Sequence, residues 1–212
     1  MRSFLAGTAC VTALLAWQPP AGAHPHVFVD ARIELDVGED GVLRAIRHDW
    51  TFDDMYSAFA VQGIPRVNGA PAQAALARLA GEIVERLEEV DFFTKAAASD
   101  QELQPMGAQD HRAILEDGRL KLSFTVRMRA LVGAPQQVSV RVFDPQYVVA
   151  ISVGGGVGLR GPARCRHTMV APGALDPSDA RQLDDSVRTN QLAPDFGAKL
   201  ATLIALDCRA LR

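Results

Sequence analysis

Val27-Phe28-Val29-Asp30-Ala31-Arg32-Ile33-Glu34-Leu35-Asp36 alternates apolar and polar residues. Val27, Val29, Ala31, Ile33 and Leu35 fall on one face, and Phe28, Asp30, Arg32, Glu34 and Asp36 on the other. This pattern predicts a half-buried strand. Residues 37–41 are turn-formers that include Asp40-Gly41, and residues 42–52 read as the returning strand of a β-hairpin. Extended backward, the alternation puts His24 and His26 on the side of Phe28 and Asp30. If Asp30 pairs with His48, then His26 and His48 share a face near the open end of the hairpin. A slip of one residue sends His48 to the other face, and the pattern leaves both registers open.

Residues 1–23 have the three parts of a secretory signal peptide. Arg2 supplies the early charge, residues 4–17 form an apolar run, and Ala21-Gly22-Ala23 is a small-x-small end. The run is shorter than the ~20 residues a spanning helix needs, and no other candidate span follows. Cleavage after Ala23 would make His24 the first residue of a 189-residue mature chain. The full chain carries a net charge of −3; removing Arg2 makes it −4. A mildly acidic chain with no basic run lacks the footprint of nucleic-acid binding. Cys10 would leave with the signal peptide. Cys165 and Cys208 remain as a pair, expected to form a disulfide in an oxidising compartment across 42 intervening residues.

Downstream, Thr51 or Asp53 can cap a short helix that Gly63 and Pro65 close. A longer packing helix is expected at roughly 72–90, from the spacing of Leu76, Leu79, Ile83, Leu87 and Val90. A strand should begin at residues 91–94. A second hairpin should span residues 112–130 around Asp117-Gly118, with strands at 138–143 and 147–153. Gly154-Gly155-Gly156 reads as a loop, with neither the helix nor the Lys of a phosphate cradle. Residues 177–190 suit a helix, and 196–208 either a helix or a strand. The fold class is therefore α+β: antiparallel hairpins and sheets with one short and one longer helix. One exported domain is expected over 24–212, with a subdivision allowed near 100–108. Phe52-Asp53-x-x-Tyr56 recurs as Phe143-Asp144-x-x-Tyr147, which admits two related β-rich halves.

The residues that could carry chemistry gather at the new N-terminus. A free α-amine and the imidazole of His24 can chelate one metal ion, since both shed protons near neutral pH. Pro25 has no N–H, so wrapping of Cu(II) by successive ionised amides is ruled out. Further donors would come from His26 and His48, with Asp53 or Asp144 as the carboxylate. A nitrogen-rich set without thiolate suits nickel, cobalt, copper or zinc rather than Ca²⁺ or Mg²⁺. Asp53 and Asp144 also have ordinary roles, as helix cap and turn residue. His111 and His167 have no partner at ligand spacing and read as structural or exposed.

Three blocks, residues 24–30, residues 48–59 and Phe143-Asp144-Pro145-Gln146-Tyr147, followed by the late cysteines, resemble a known family. It is described as the periplasmic component of an uncharacterised ABC-type transport system (domain of unknown function one thousand and seven). The resemblance implies a periplasmic protein serving a membrane permease for a transition metal. It singles out His24, His26, His48, Asp53 and Asp144, with Tyr56 and Tyr147 as supports. Two other classes stand beside metal delivery. An amino-terminal His with a distant His is also the arrangement of secreted copper oxygenases, but 2 Trp and 2 Tyr make a poor polymer-binding face. The other class is a non-catalytic interaction module. Hydrolysis has no support, with neither a G-x-S-x-G nor an H-E-x-x-H motif.

Overall fold

The computed structural model describes residues 25–98, 101–129, 137–162, 164–189 and 192–208. The first hairpin forms as the alternation predicts, from β1 (Val27–Val37) and β2 (Leu43–Phe52). Helix α1 (Asp54–Ala60) follows, then a two-residue ribbon, β3 (Arg66–Val67) with β4 (Ala70–Pro71), and helix α2 (Gln73–Glu88). After them come β5 (Thr94–Ala98), β6 (Gln101–Leu103), β7 (Pro105–Glu116) and β8 (Arg119–Met128). The chain continues through β9 (Gln137–Val142), β10 (Val149–Ser152), β11 (Val157–Arg160) and β12 (Arg166–Val170). It ends with α3 (Pro177–Thr189), α4 (Phe196–Lys199) and β13 (Leu203–Asp207). The result is β-rich with a few helices, in keeping with α+β.

The strands make two main sheets. One runs β10-β1-β2-β8-β7 with β11 also on β1, and the other runs β12-β13-β9-β5-β6. Their apolar residues form one core, from Val29, Ile33, Ile46, Trp50 and Phe124 of the first sheet to Val138, Val140, Ile204 and Leu206 of the second. The chain crosses between sheets at residue 104, within the stretch where a subdivision was allowed. Helix α2 packs on β7, burying Ala75, Leu76, Ala80, Val84 and Leu87. Val90 of the expected stripe is 44% exposed, because the helix ends before it.

Two expectations need correction. The sheets are not purely antiparallel, because β10 and β11 both run parallel to β1. The chain leaves β9 in the second sheet and enters the first at the edge beside β1, so no tight hairpin forces these neighbours to be antiparallel. Gly154 and Gly155 let this edge lie close against β1. A Cβ on Gly154 would stand 2.6 Å from Asp30 Oδ1, and one on Gly155 would stand 2.9 Å from Arg32 Cβ. The second correction concerns residues 91–93, which form a 3₁₀ turn rather than the start of a strand. Asp91, Phe92 and Phe93 all have φ between 52° and 55°, a region costly for side-chain-bearing residues. Burial of Phe92 and hydrogen bonds from Thr94 Oγ1 to Phe92 O (2.9 Å) and from Phe143 N to Phe93 O (2.8 Å) hold the turn.

The expected disulfide joins Cys165 and Cys208. Arg166 pairs with Asp207 across β12 and β13, so the two cysteines are the next residues facing each other. Among the described residues no helix is long and apolar enough to cross a membrane.

Candidate functional site

His24 and the expected signal peptide lie outside the described residues, which begin at Pro25. His26 is exposed immediately before β1, and its N–H donates to Val148 O at 2.8 Å. On the other side of β1, Phe28 N donates to Asp53 Oδ2 at 2.8 Å, and Asp53 N donates back to Phe28 O at 2.9 Å. The start of the strand is thus held from both sides.

The two repeated motifs supply that hold. Asp53 caps α1, its Oδ1 accepting from Tyr56 N at 2.9 Å while Oδ2 reaches Phe28. Burial works to raise its pKa, but the N–H groups of Phe28, Tyr56 and Met55 and its own outweigh that and hold it below the usual carboxylate range. Asp144 is buried and closes a turn. Its Oδ1 accepts from Gln146 N (2.9 Å), and Oδ2 accepts from Val148 N (2.8 Å) and Val149 N (2.9 Å). Asp144 therefore fixes Val148, whose carbonyl fixes His26. Tyr56 stacks on Phe52 at 4.6 Å, and burial raises its pKa. Tyr147 leans on Phe196 at 6.4 Å. Gly197 is required beside this corner, since a Cβ there would lie 1.9 Å from Asp144 O.

His48 does not join this group. Asp30 pairs with Thr51, and His48 pairs with Ile33. His48 therefore lies on the core face, seven positions along β1 from His26, or roughly 23 Å at strand rise. It is wholly buried, stacked on Phe124 at 4.6 Å and edge-on to Trp50 at 5.9 Å. Thr94 Oγ1 donates to Phe92 O, so at 3.3 Å it accepts from His48 Nε2–H. This contact joins the two sheets and leaves Nδ1 as the unprotonated nitrogen. Desolvation lowers the His48 pKa to about 3, against an opposing pull from Asp49. The sequence did carry a signal for this placement, because Ile46, His48, Trp50 and Phe52 share one alternating series.

Among the described residues, no three of His, Cys, Asp and Glu gather as a metal site. His111 is exposed and His167 half-buried, each apart from the strand start. Around that start, Phe28, Met55 and Phe59 are 53%, 71% and 72% exposed. Sequence reasoning missed Thr94 and the Val148 carbonyl, because main-chain partners and cross-sheet contacts leave no local pattern.

The class defined by these features is a two-sheet, β-rich α+β chain whose first strand is clamped by two carboxylate corners. Residues 9–208 match the family described as "Protein of unknown function (DUF1007)", and the chain belongs to that family. Comparison with curated proteins gives no match.

Proposed function

We propose that the protein is an exported, non-catalytic metal-binding protein that serves a transition-metal permease in the periplasm. In this reading, cleavage leaves His24 at the N-terminus, and its amine and imidazole bind nickel, cobalt, copper or zinc together with His26. The observation that carries the reading is the fixed main chain at His26, held through Val148 and Asp144 on one side and through Phe28 and Asp53 on the other. A rigid start reduces the ordering cost of assembling a chelate from adjacent residues. Asp53 and Asp144 then act as clamps that position the ligands, and His48 contributes to the core.

The test uses position. Adding one residue before His24 keeps every side chain but moves the α-amine. By calorimetry with the four metals, that extension and His24→Ala should each weaken binding by more than about tenfold. His111→Ala and His167→Ala should change little. Equal binding by mature and extended proteins overturns the amine ligand, and absence of binding to all four metals overturns the metal reading.

A second reading, an interaction module without metal, is supported by the exposed Phe28, Met55 and Phe59 beside the same strand start. It is favoured if the metal test fails while substitutions at these three residues still impair transport.

A further inference from the structure

The outer face of the second sheet bears a concavity of about 310 Å³, next to the Asp144 corner. Lys95 on β5 and Arg141 on β9 both line it and stand directly opposite each other in register. Like charges facing across antiparallel strands oppose the pairing. Only one of the two is neutralised. Lys95 Nζ lies 2.9 Å from Asp91 and 3.4 Å from Glu102. The left-handed turn at residues 91–93 sits directly before β5 and carries Asp91 to that position. Among the described residues, no carboxylate pairs with Arg141, although it is exposed and beside another cation.

The walls are of a different character. Ala97, Phe143 and Ala198 supply apolar surface, and the Ser139 hydroxyl is turned to Ala97 O at 3.3 Å. The volume falls at the lower end of ligand sites, which run from about 300 to 1,000 Å³. A planar guanidinium matches a carboxylate through two parallel hydrogen bonds. A phosphate dianion fits less well, because Glu102 also lines the cavity and the charges of Lys95, Arg141, Asp91 and Glu102 sum to zero.

We propose that this concavity binds a small monocarboxylate, with Arg141 holding the carboxylate and its short apolar body resting on Ala97, Phe143 and Ala198. The site is separate from the strand start and does not depend on metal binding.

Calorimetry on the mature chain, residues 24–212, tests it with hexanoate, hexanamide and inorganic phosphate. Hexanoate should bind saturably, with hexanamide and phosphate at least about tenfold weaker, because only hexanoate combines a paired charge with an apolar body. Arg141→Gln should weaken hexanoate by at least about tenfold while leaving the Tm unchanged or raised, since it also removes a like-charge pair. Ala198→Leu, which fills the cavity, should abolish binding. The proposal is overturned if hexanoate does not saturate, if hexanamide or phosphate binds as tightly, or if Arg141→Gln binds hexanoate as well as the wild type does.

Discussion

His26 and His48 stand at neighbouring strands of one sheet, yet their surroundings share almost nothing. His26 is exposed, on a main chain fixed by the neighbouring Val148 carbonyl and the Asp53 carboxylate. His48 is enclosed by Phe124, Trp50 and Thr94 and kept neutral by desolvation. The difference lies in the face each side chain takes, which the register and the alternation of β2 set together. Asp30 opposite Thr51, rather than opposite His48, turns one histidine outward and the other into the core. A side chain of the same chemistry therefore becomes a candidate ligand at one position and a bridge between sheets at the other.

The strongest way to break this contrast is to remove each ring. His48→Ala should cost about 3 kcal/mol or more in chemical denaturation, for a cavity beneath Phe124 and a lost cross-sheet contact. His26→Ala should stay within about 0.5 kcal/mol, as exposed substitutions do. Similar losses for both would refute the assignment of His48 to the core.

Next come the carboxylates that hold the His26 main chain. Asp144→Ala removes the acceptor of three N–H donors at a part-buried corner and should cost about 2–3 kcal/mol. Asp53→Ala, which loses a helix cap and the Phe28 contact, should cost about 1–2 kcal/mol. Hydrogen exchange should show faster Val148 and Val149 amides in the first variant and faster Phe28 and Tyr56 amides in the second. Unchanged rates at these amides would remove the clamps from the account.

An effect comparable to that at Asp53 depends on pH. A histidine near 6.5 when unfolded and about 3 when folded contributes stability that is fully present above pH 6.5. That contribution is lost progressively as pH falls from 6.5 toward 3. From pH 7 to pH 5 the loss is about 2 kcal/mol. His48→Phe keeps an aromatic ring against Phe124 and removes the titration, so it should be less sensitive to pH by that amount over the same interval. Parallel pH profiles for the two proteins would place the charge change elsewhere.

Much of this molecule follows from local sequence. Alternation at residues 27–36, the Asp40-Gly41 turn, the cap at Asp53 and the second hairpin around Asp117-Gly118 all form where their residues require, because strand, cap and turn preferences act over a few neighbours. The membership of His48 in the series Ile46, Trp50 and Phe52 was also legible, since side chains two apart share a face. What the sequence could not settle was which residues meet across strands and sheets. The parallel seat of β10 and β11 on β1, the Thr94 partner of His48 and the facing of Lys95 with Arg141 each join segments far apart in the chain. No local preference encodes those meetings. They arise when both sheets bury their apolar faces in one core, and the register that buries the most apolar surface decides where every polar side chain must go.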